Sequence, residues 1–321
     1  MANIKQVAAL AGLSVSCVSK YLKNPGSVLP DSRQRIEAAI EELQYTPSAM
    51  ARYLRTKRTY TVKAVMESIT IPFFAEMFEN LRRDLEERGY TTILQTIDNK
   101  PFSTRDFDAV DGVIACFVDD EQVLKTIHEA AGSLPFICMH WREPALDVPT
   151  IWLDVRQGMR LAARHLLEGG CSRLAHVGGP PQSVIASVKE EGVRETLREA
   201  GLPLLPEYCF RDAYSFQAGY AAAKIMAALP QRPDGVLCDN DVLAAGVICG
   251  FYRQEVAVPG EIRVTGFDNI PLAEMYIPAL TSVAMPIGEM CGSACVMLLD
   301  AIEGRPVENR VSAPILVARQ S

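Results

Sequence analysis

From residue 61 onward, short runs rich in β-branched and apolar residues alternate with amphipathic stretches. The runs are "TVKAVME", "TTILQTI", "GVIACFV", "LPFICMH", "RLAHVGG", "DGVLCDN" and "IRVTGFD". Strands this apolar are buried on both faces, and a helix between two of them returns the chain to start the next in the same direction. The pattern demands parallel sheets with helices on both faces, an α/β body. "FFAEMFENLRRDLEERG" shows the connecting unit, with Phe74, Met77, Leu81 and Leu85 on one face and Gly89 as the stop. Such sheets bind ligands outside the carboxyl ends of their strands, so polar and aromatic residues there are the first candidates for a site.

The first sixty residues follow another rule. They hold nine Lys and Arg against four Asp and Glu, whereas the remaining chain is strongly acidic and the whole 321-residue protein carries −7. Asn3 and Gln6 form a capping box ahead of Ile4, Val7, Ala8 and Leu10. Gly12 allows a tight turn, and Ser14 caps a second helix from Val15 to about Leu22. A third helix reads "DSRQRIEAAIEELQY", with Ile36, Ala39, Ile40 and Leu43 at helical spacing. Three short helices with a glycine turn between the first two make a helix-turn-helix, whose second helix exposes Val15, Ser16, Ser19 and Lys20. By pattern alone such a hairpin also serves as plain architecture. A basic head on an acidic body points instead to a nucleic-acid reader joined to a different machine.

Several function classes are excluded. With 49% hydrophobic and 22% charged residues, the chain has the composition of a soluble globular protein. No apolar run approaches the ~18 residues of a membrane span. The N-terminus lacks a secretory h-region, so the expected location is cytoplasmic. The nine cysteines are scattered without a Cys-x-x-Cys, which describes reduced, buried thiols and no metal site. No dinucleotide fingerprint, P-loop or nucleophile elbow occurs, and Pro180 and Pro181 remove the amides that a phosphate cradle in "HVGGPP" would need. His128, His140, His165 and His176 lie far apart. The chain is therefore read as a non-enzyme without a cofactor.

Six ordered blocks carry a resemblance over almost the whole chain: "IKQVAALAGLSVSCVSKYLKN", "RIEAAIEELQYTPSAMARYLR", "GVLCDNDVLAAG", "VPGEIRVTGFDNIP", "PALTSVAMP" and the terminal "ILVAR". They resemble the lactose- and purine-repressor family of bacterial transcription regulators. The resemblance implies a small all-α helix-turn-helix head (1–46), a hinge (47–60) and an α/β body (61–321). The body would be two parallel-sheet lobes like those of periplasmic sugar-binding proteins. Lobe one is expected at about 61–155 plus 280–308, and lobe two at about 156–279 plus 309–321. Implied partners are a palindromic operator DNA, a second copy of the chain in a homodimer, and a small-molecule effector, most commonly a sugar, held between the lobes. An exported or cytoplasmic solute-binding protein without a DNA role is the alternative, and the basic head counts against it.

Individual positions follow from the same resemblance. Val15, Ser16 and Lys20 match residues that face base edges in the major groove, and Ser19 matches a phosphate contact. Cys17 stands where the family usually has Thr, a better phosphate donor, and Leu29 stands where a capping Ser is common. In the hinge "TPSAMARYLRTKRT", Ser48, Ala51, Leu54 and Arg55 match DNA contacts, with Leu54 as a minor-groove wedge. For the effector, Asn240 and Asp268 match hydrogen-bonding positions at strand ends. Phe73 and Trp141 are rings in loops after strands, and Tyr214 matches a further ring. Lys189 replaces an arginine, keeping its charge and losing the bidentate fork. The segment 98–109 is shorter than in the family, so one surface helix of lobe one is expected to shrink to a turn.

Overall fold

The computed structural model describes residues 2–45, 53, 56–98, 100–141 and 146–321. The chain forms two compact units, Met1–Thr59 and Tyr60–Ser321. The first contains α1 (Ile4–Ala11), α2 (Val15–Lys23) and α3 (Pro30–Glu42). The Asn3–Gln6 capping box forms, Gly12 turns the chain at φ +61°, and Ser14 Oγ accepts from the Cys17 amide at 3.1 Å. The Arg35 guanidinium donates to the Gly12 carbonyl and braces that turn. Val7, Ala8, Ala11, Val18, Ile36 and Ala39 make a small core. Leu29 offers α3 no side-chain cap. Pro30 at its first position has no N–H to satisfy, and Asp31 supplies charge to the first turn.

The second unit contains two six-stranded sheets. The first has the order β11-β5-β4-β3-β1-β2, formed by β1 (Thr61–Met66), β2 (Thr91–Thr96), β3 (Gly112–Cys116), β4 (Phe136–His140), β5 (Thr150–Leu153) and β11 (Arg310–Ser312). All its pairings are parallel. The second has the order β12-β10-β9-β8-β6-β7, formed by β6 (Leu174–Gly178), β7 (Cys209–Arg211), β8 (Gly235–Cys238), β9 (Arg263–Asp268), β10 (Thr281–Ala284) and β12 (Ile315–Val317). Only β12 runs antiparallel, against β10. The connecting helices are α4 (Pro72–Glu87), α5 (Glu121–Ala131), α6 (Val155–Glu168), α7 (Val184–Glu199), α8 (Phe216–Ala228), α9 (Asp241–Arg253) and α10 (Ile287–Ile302).

Two segments sit in the opposite lobe from the one expected. Residues 281–284 extend the second sheet, because β10 is buried and pairs in parallel with β9 from Thr281↔Thr265 to Ala284↔Asp268. The chain crosses to lobe one only afterwards, for α10, which packs on α4, β3 and β4. Conversely, residues 310–312 pair in parallel with β5 and belong to lobe one, before β12 returns to lobe two. The chain thus passes between lobes three times, after β5, β10 and β11.

Period-two burial explains why both faces of the first sheet are covered. Val62, Ala64 and Met66 face one core with Ile114, Cys116, Ile137 and Met139. Val65 faces the other with Val113, Ala115, Phe136 and Cys138. Lys63 points to the second face, where its ammonium donates to Gln95 Oε1 at 2.8 Å and to the Asp106 carbonyl. Of the short segment 98–109, the described residues 100–109 cover this face with a single 3-10 turn, Thr104–Phe107, and Phe107 lies in the core.

Candidate functional site

On the head, α2 turns Val18 into the core and leaves Val15, Ser16 and Lys20 exposed, with Cys17 and Ser19 half-buried beside them. These five residues form one side of a short helix that the Gly12 turn projects from α1. Ser48, Ala51, Leu54 and Arg55 lie outside the described residues.

In the body, both sheets share the order 2-1-3-4-5 in their first five strands, so each has a switch point beside its first strand, where ligands enter such folds. The carboxyl ends of the strands in the two lobes border one cavity. All six expected effector residues line it: Phe73, Trp141, Lys189, Tyr214, Asn240 and Asp268. They come from six separate segments. Phe73 sits in the first turn of α4 rather than in a loop, and its ring stacks on Trp141 at 5.5 Å. Asn240 also caps α9, accepting from the Leu243 amide at 2.8 Å.

Asp268 ends β9 at φ +98° and Asn269 follows at +52°, a left-handed pair that is strained for non-glycine residues. A buried frame holds the turn. Asp241 accepts from the Ile270 amide (2.8 Å) and the Ser282 hydroxyl (2.5 Å), and Ser282 Oγ accepts from the Asn269 amide (3.0 Å). Burial pushes the Asp268 carboxyl well above the usual range, neighbouring Asp241, Asp239 and Glu76 add to this, and Lys189 opposes it. Burial also raises Asp241, to about 7. The folded chain then keeps a proton on Asp241 that the unfolded chain releases near its ordinary 3.8. Stability from this group therefore declines as pH rises from about 4 to 7 and is level outside that window. Asp241→Asn should flatten the fall in melting temperature over that range, and an unchanged slope would reject the assignment.

Behind the cavity, His176 is fully buried and meets Asp239 at 2.8 Å. Burial works against the Asp239 charge, yet His176, Lys189 and the Gly179 amide together outweigh it and hold the carboxyl below its ordinary value. Lys189 donates to the Asp239 carbonyl at 2.6 Å and lies 3.9 Å from the centre of the Phe267 ring.

Sequence reasoning missed Glu67 and Asp119, which also line the cavity. Each follows a strand of the first sheet, so the strand-end rule that found Asp268 applies to them as well. Asp119 joins the lobes: its carboxylate accepts from the Ser183 hydroxyl (2.6 Å) and the Ile185 amide (3.1 Å) at the start of α7. Glu67 in turn accepts from the Asp119 amide at 3.0 Å. Ile71, Phe74 and Ile185 add apolar wall, for which single residues carry no sequence signal.

A helix-turn-helix head and a two-lobed body with a cavity between parallel sheets define a ligand-responsive DNA-binding regulator. Residues 3–48 match the family described as "Bacterial regulatory proteins, lacI family", and 163–321 match a periplasmic binding protein-like domain. The ribose operon repressor of Escherichia coli K12 is 31% identical over the full length of both chains. The transcriptional repressor PurR of Erwinia tasmaniensis is 32% identical over all of this chain and 97% of its own. A LacI-family regulator from Enterococcus faecium, solved with bound ribose, superposes with a TM-score of 0.73 and 26% identity, covering 81% of this chain and 98% of that one. The chain belongs to the lacI family of bacterial regulatory proteins, and it is a DNA-binding transcription regulator. Among the described residues, no helix is long and apolar enough to cross a membrane.

Proposed function

We propose that this regulator represses transcription as a homodimer on a palindromic operator, in the cytoplasm, and that a sugar bound between its lobes sets its operator affinity. The observation that supports the effector reading is the convergence of Phe73, Trp141, Lys189, Tyr214, Asn240 and Asp268 on one cavity. Rings stack on a sugar's apolar face, and carboxylate and amide groups take its hydroxyls. The relatives named for ribose operon control and solved with ribose agree in class. Closure of the lobes on the ligand, across the Asp119–Ser183 contact, biases the two states that differ in operator affinity.

On the DNA side, Val15, Ser16 and Lys20 read base edges and Ser19 and Cys17 lie against the backbone, while Ser48, Ala51, Leu54 and Arg55 serve the hinge. Fluorescence anisotropy with the palindrome upstream of the gene tests this. Binding should weaken steeply with salt, and Lys20→Ala should cost about 1–3 kcal/mol and relax preference at one base pair. Cys17→Thr should tighten binding without altering preference. Salt-insensitive binding overturns the reading.

The dimer has its own support in the second lobe, where Tyr252 (77% exposed), Met275 (71%) and Ile277 (93%) leave large apolar surface in water. Ile277→Asp should shift sedimentation toward the monomer and weaken operator binding. A monomeric parent protein that still binds the palindrome tightly would reject the homodimer.

A further inference from the structure

A buried pair, His176 and Asp239, lies behind the cavity wall. Asp239 follows the last residue of β8, is fully buried and lines the cavity. Three groups of that wall depend on it. Its carbonyl accepts from the Lys189 ammonium at 2.6 Å, its carboxylate accepts from the Gly179 amide at 2.9 Å, and Asn240 is its neighbour in the chain. The Tyr214 ring fills the space that a Cβ on Gly179 would take, so the placement of Gly179 also seats Tyr214. Lys189 is itself buried, and among the described residues the Asp239 carbonyl is the one acceptor its ammonium finds, with the Phe267 and Trp141 rings at 3.9 and 5.5 Å. An ammonium carries three N–H groups, so two are left for an occupant of the cavity.

His176 holds the Asp239 carboxylate from the other side. It sits in mid-β6, paired in register with Cys209 of β7 and Leu237 of β8, and its Nε2 lies 2.8 Å from Asp239 Oδ1. An ionised carboxylate only accepts, so Nε2 carries the proton. Without it Asp239 would keep a single amide donor for a buried charge, a state that burial penalises heavily. The second ring nitrogen, Nδ1, makes no hydrogen bond among the described residues. Glu190 Oε2 stands 3.8 Å from it, held there by Arg194 and Arg211. An apolar side chain would fill this site without orphaning a nitrogen, so packing alone does not account for a histidine here.

We propose that His176 is a positioning residue of the effector response: through its hydrogen bond to Asp239 it sets the Lys189 ammonium and the Gly179–Tyr214 wall against the bound effector. His176 does not line the cavity, and it acts on the ligand through Asp239. A donor that must be in place before the ligand arrives contributes most when its own support is rigid. The support here is a directional bond between two fully buried side chains on neighbouring strands of one sheet. This inference rests on the reading of the cleft as the effector site.

Three variants of the full chain test it, His176→Gln, His176→Leu and His176→Leu combined with Asp239→Ala, in operator anisotropy with ribose and glucose as probes. Gln brings an amide N–H to the place of Nε2, so its half-response concentration should stay within about threefold of the parent, whereas Leu should raise it at least about tenfold. Leu alone leaves the Asp239 charge short of a donor and should lower the melting temperature by about 6–12 °C. The double variant removes both partners, so it should recover most of that stability while its response stays weak. A double variant or a Leu variant that responds like the parent overturns the proposal. So does an equal loss in Gln and Leu, which would mark His176 as packing. Trp141 emission in a Trp152→Phe background gives a readout without ligand, because the Lys189 ammonium faces the Trp141 ring. It should shift in the Leu variant and not in the Gln variant, and unchanged emission in Leu also overturns the proposal. If neither sugar alters operator binding by the parent protein, the effector reading falls, and the Trp141 emission alone decides whether His176 positions Lys189.

Discussion

Asp268→Asn is expected to leave operator binding within about twofold and to raise the effector concentration for half-response by about a hundredfold, equivalent to roughly 2.7 kcal/mol. Asn preserves the side-chain volume and the backbone pairing of β9 with β10, while one acceptor becomes a donor facing the ligand. The unliganded protein should become more stable in the same variant. Burial holds the Asp268 carboxyl well above its ordinary range, with Asp241, Asp239 and Glu76 adding to this and Lys189 opposing it, so near neutral pH the folded chain bears the cost of burying an ionisable group that a neutral amide avoids. Loss of response together with a raised melting temperature is the signature of a group held at a cost for function. A variant that responds normally would remove Asp268 from the effector site.

The second large effect lies away from the cleft, where α8 crosses α9. A Cβ at Gly246 would lie 2.1 Å from the Phe216 carbonyl oxygen, and one at Gly219 would lie 2.1 Å from the Leu243 carbonyl oxygen. Both clashes are with backbone, so no rotamer change relieves them and the helices must separate. Separation would open the core formed by Ala222, Ala223, Met226, Val247 and Phe251. Gly246→Ala should therefore lower stability by about 1–3 kcal/mol, and Gly246→Leu by more, enough to leave lobe two unfolded. Denaturant titration of the Ala variant and the soluble yield of the Leu variant measure this. A Leu variant of parental stability would mean that the crossing is loose. The site would respond too, since Asn240 and Asp241, at the start of α9, connect this crossing to the Asp268 turn.

Much of the organisation was legible because it rests on local rules. The Asn3–Gln6 box, the Gly12 turn and the Ser14 cap are decided within a few residues of each position, and each forms as expected. Seven strands announced themselves as apolar runs. β5 and β7 did not: each is short, and neither "TIWL" nor "CFR" stands out as an apolar run from the polar and proline-containing sequence around it. The lobe assignment of 281–284 and 310–312 was out of reach for another reason. Both are short strands whose membership is set by which sheet edge is open, and edge pairing is a contact between segments more than a hundred residues apart in the case of β11 and β5. In the cleft, the family resemblance marked six residues, whereas Glu67 and Asp119 had only the strand-end rule in their favour.

By itself the amino-acid sequence determined that the chain carries a basic helix-turn-helix and a doubly wound α/β body, because helical and strand periods, caps and charge are properties of neighbouring residues. It also marked strand ends as the place for ligand chemistry. Only the tertiary structure decided that those ends meet at one cavity, that Asp119 bridges to Ser183 across it, and that Lys189 donates to the Asp239 carbonyl while Asp268 makes no side-chain hydrogen bond among the described residues. Those outcomes depend on how two sheets are set against each other and on which polar groups burial leaves unsatisfied. Such facts arise from long-range packing, and no window of sequence contains them.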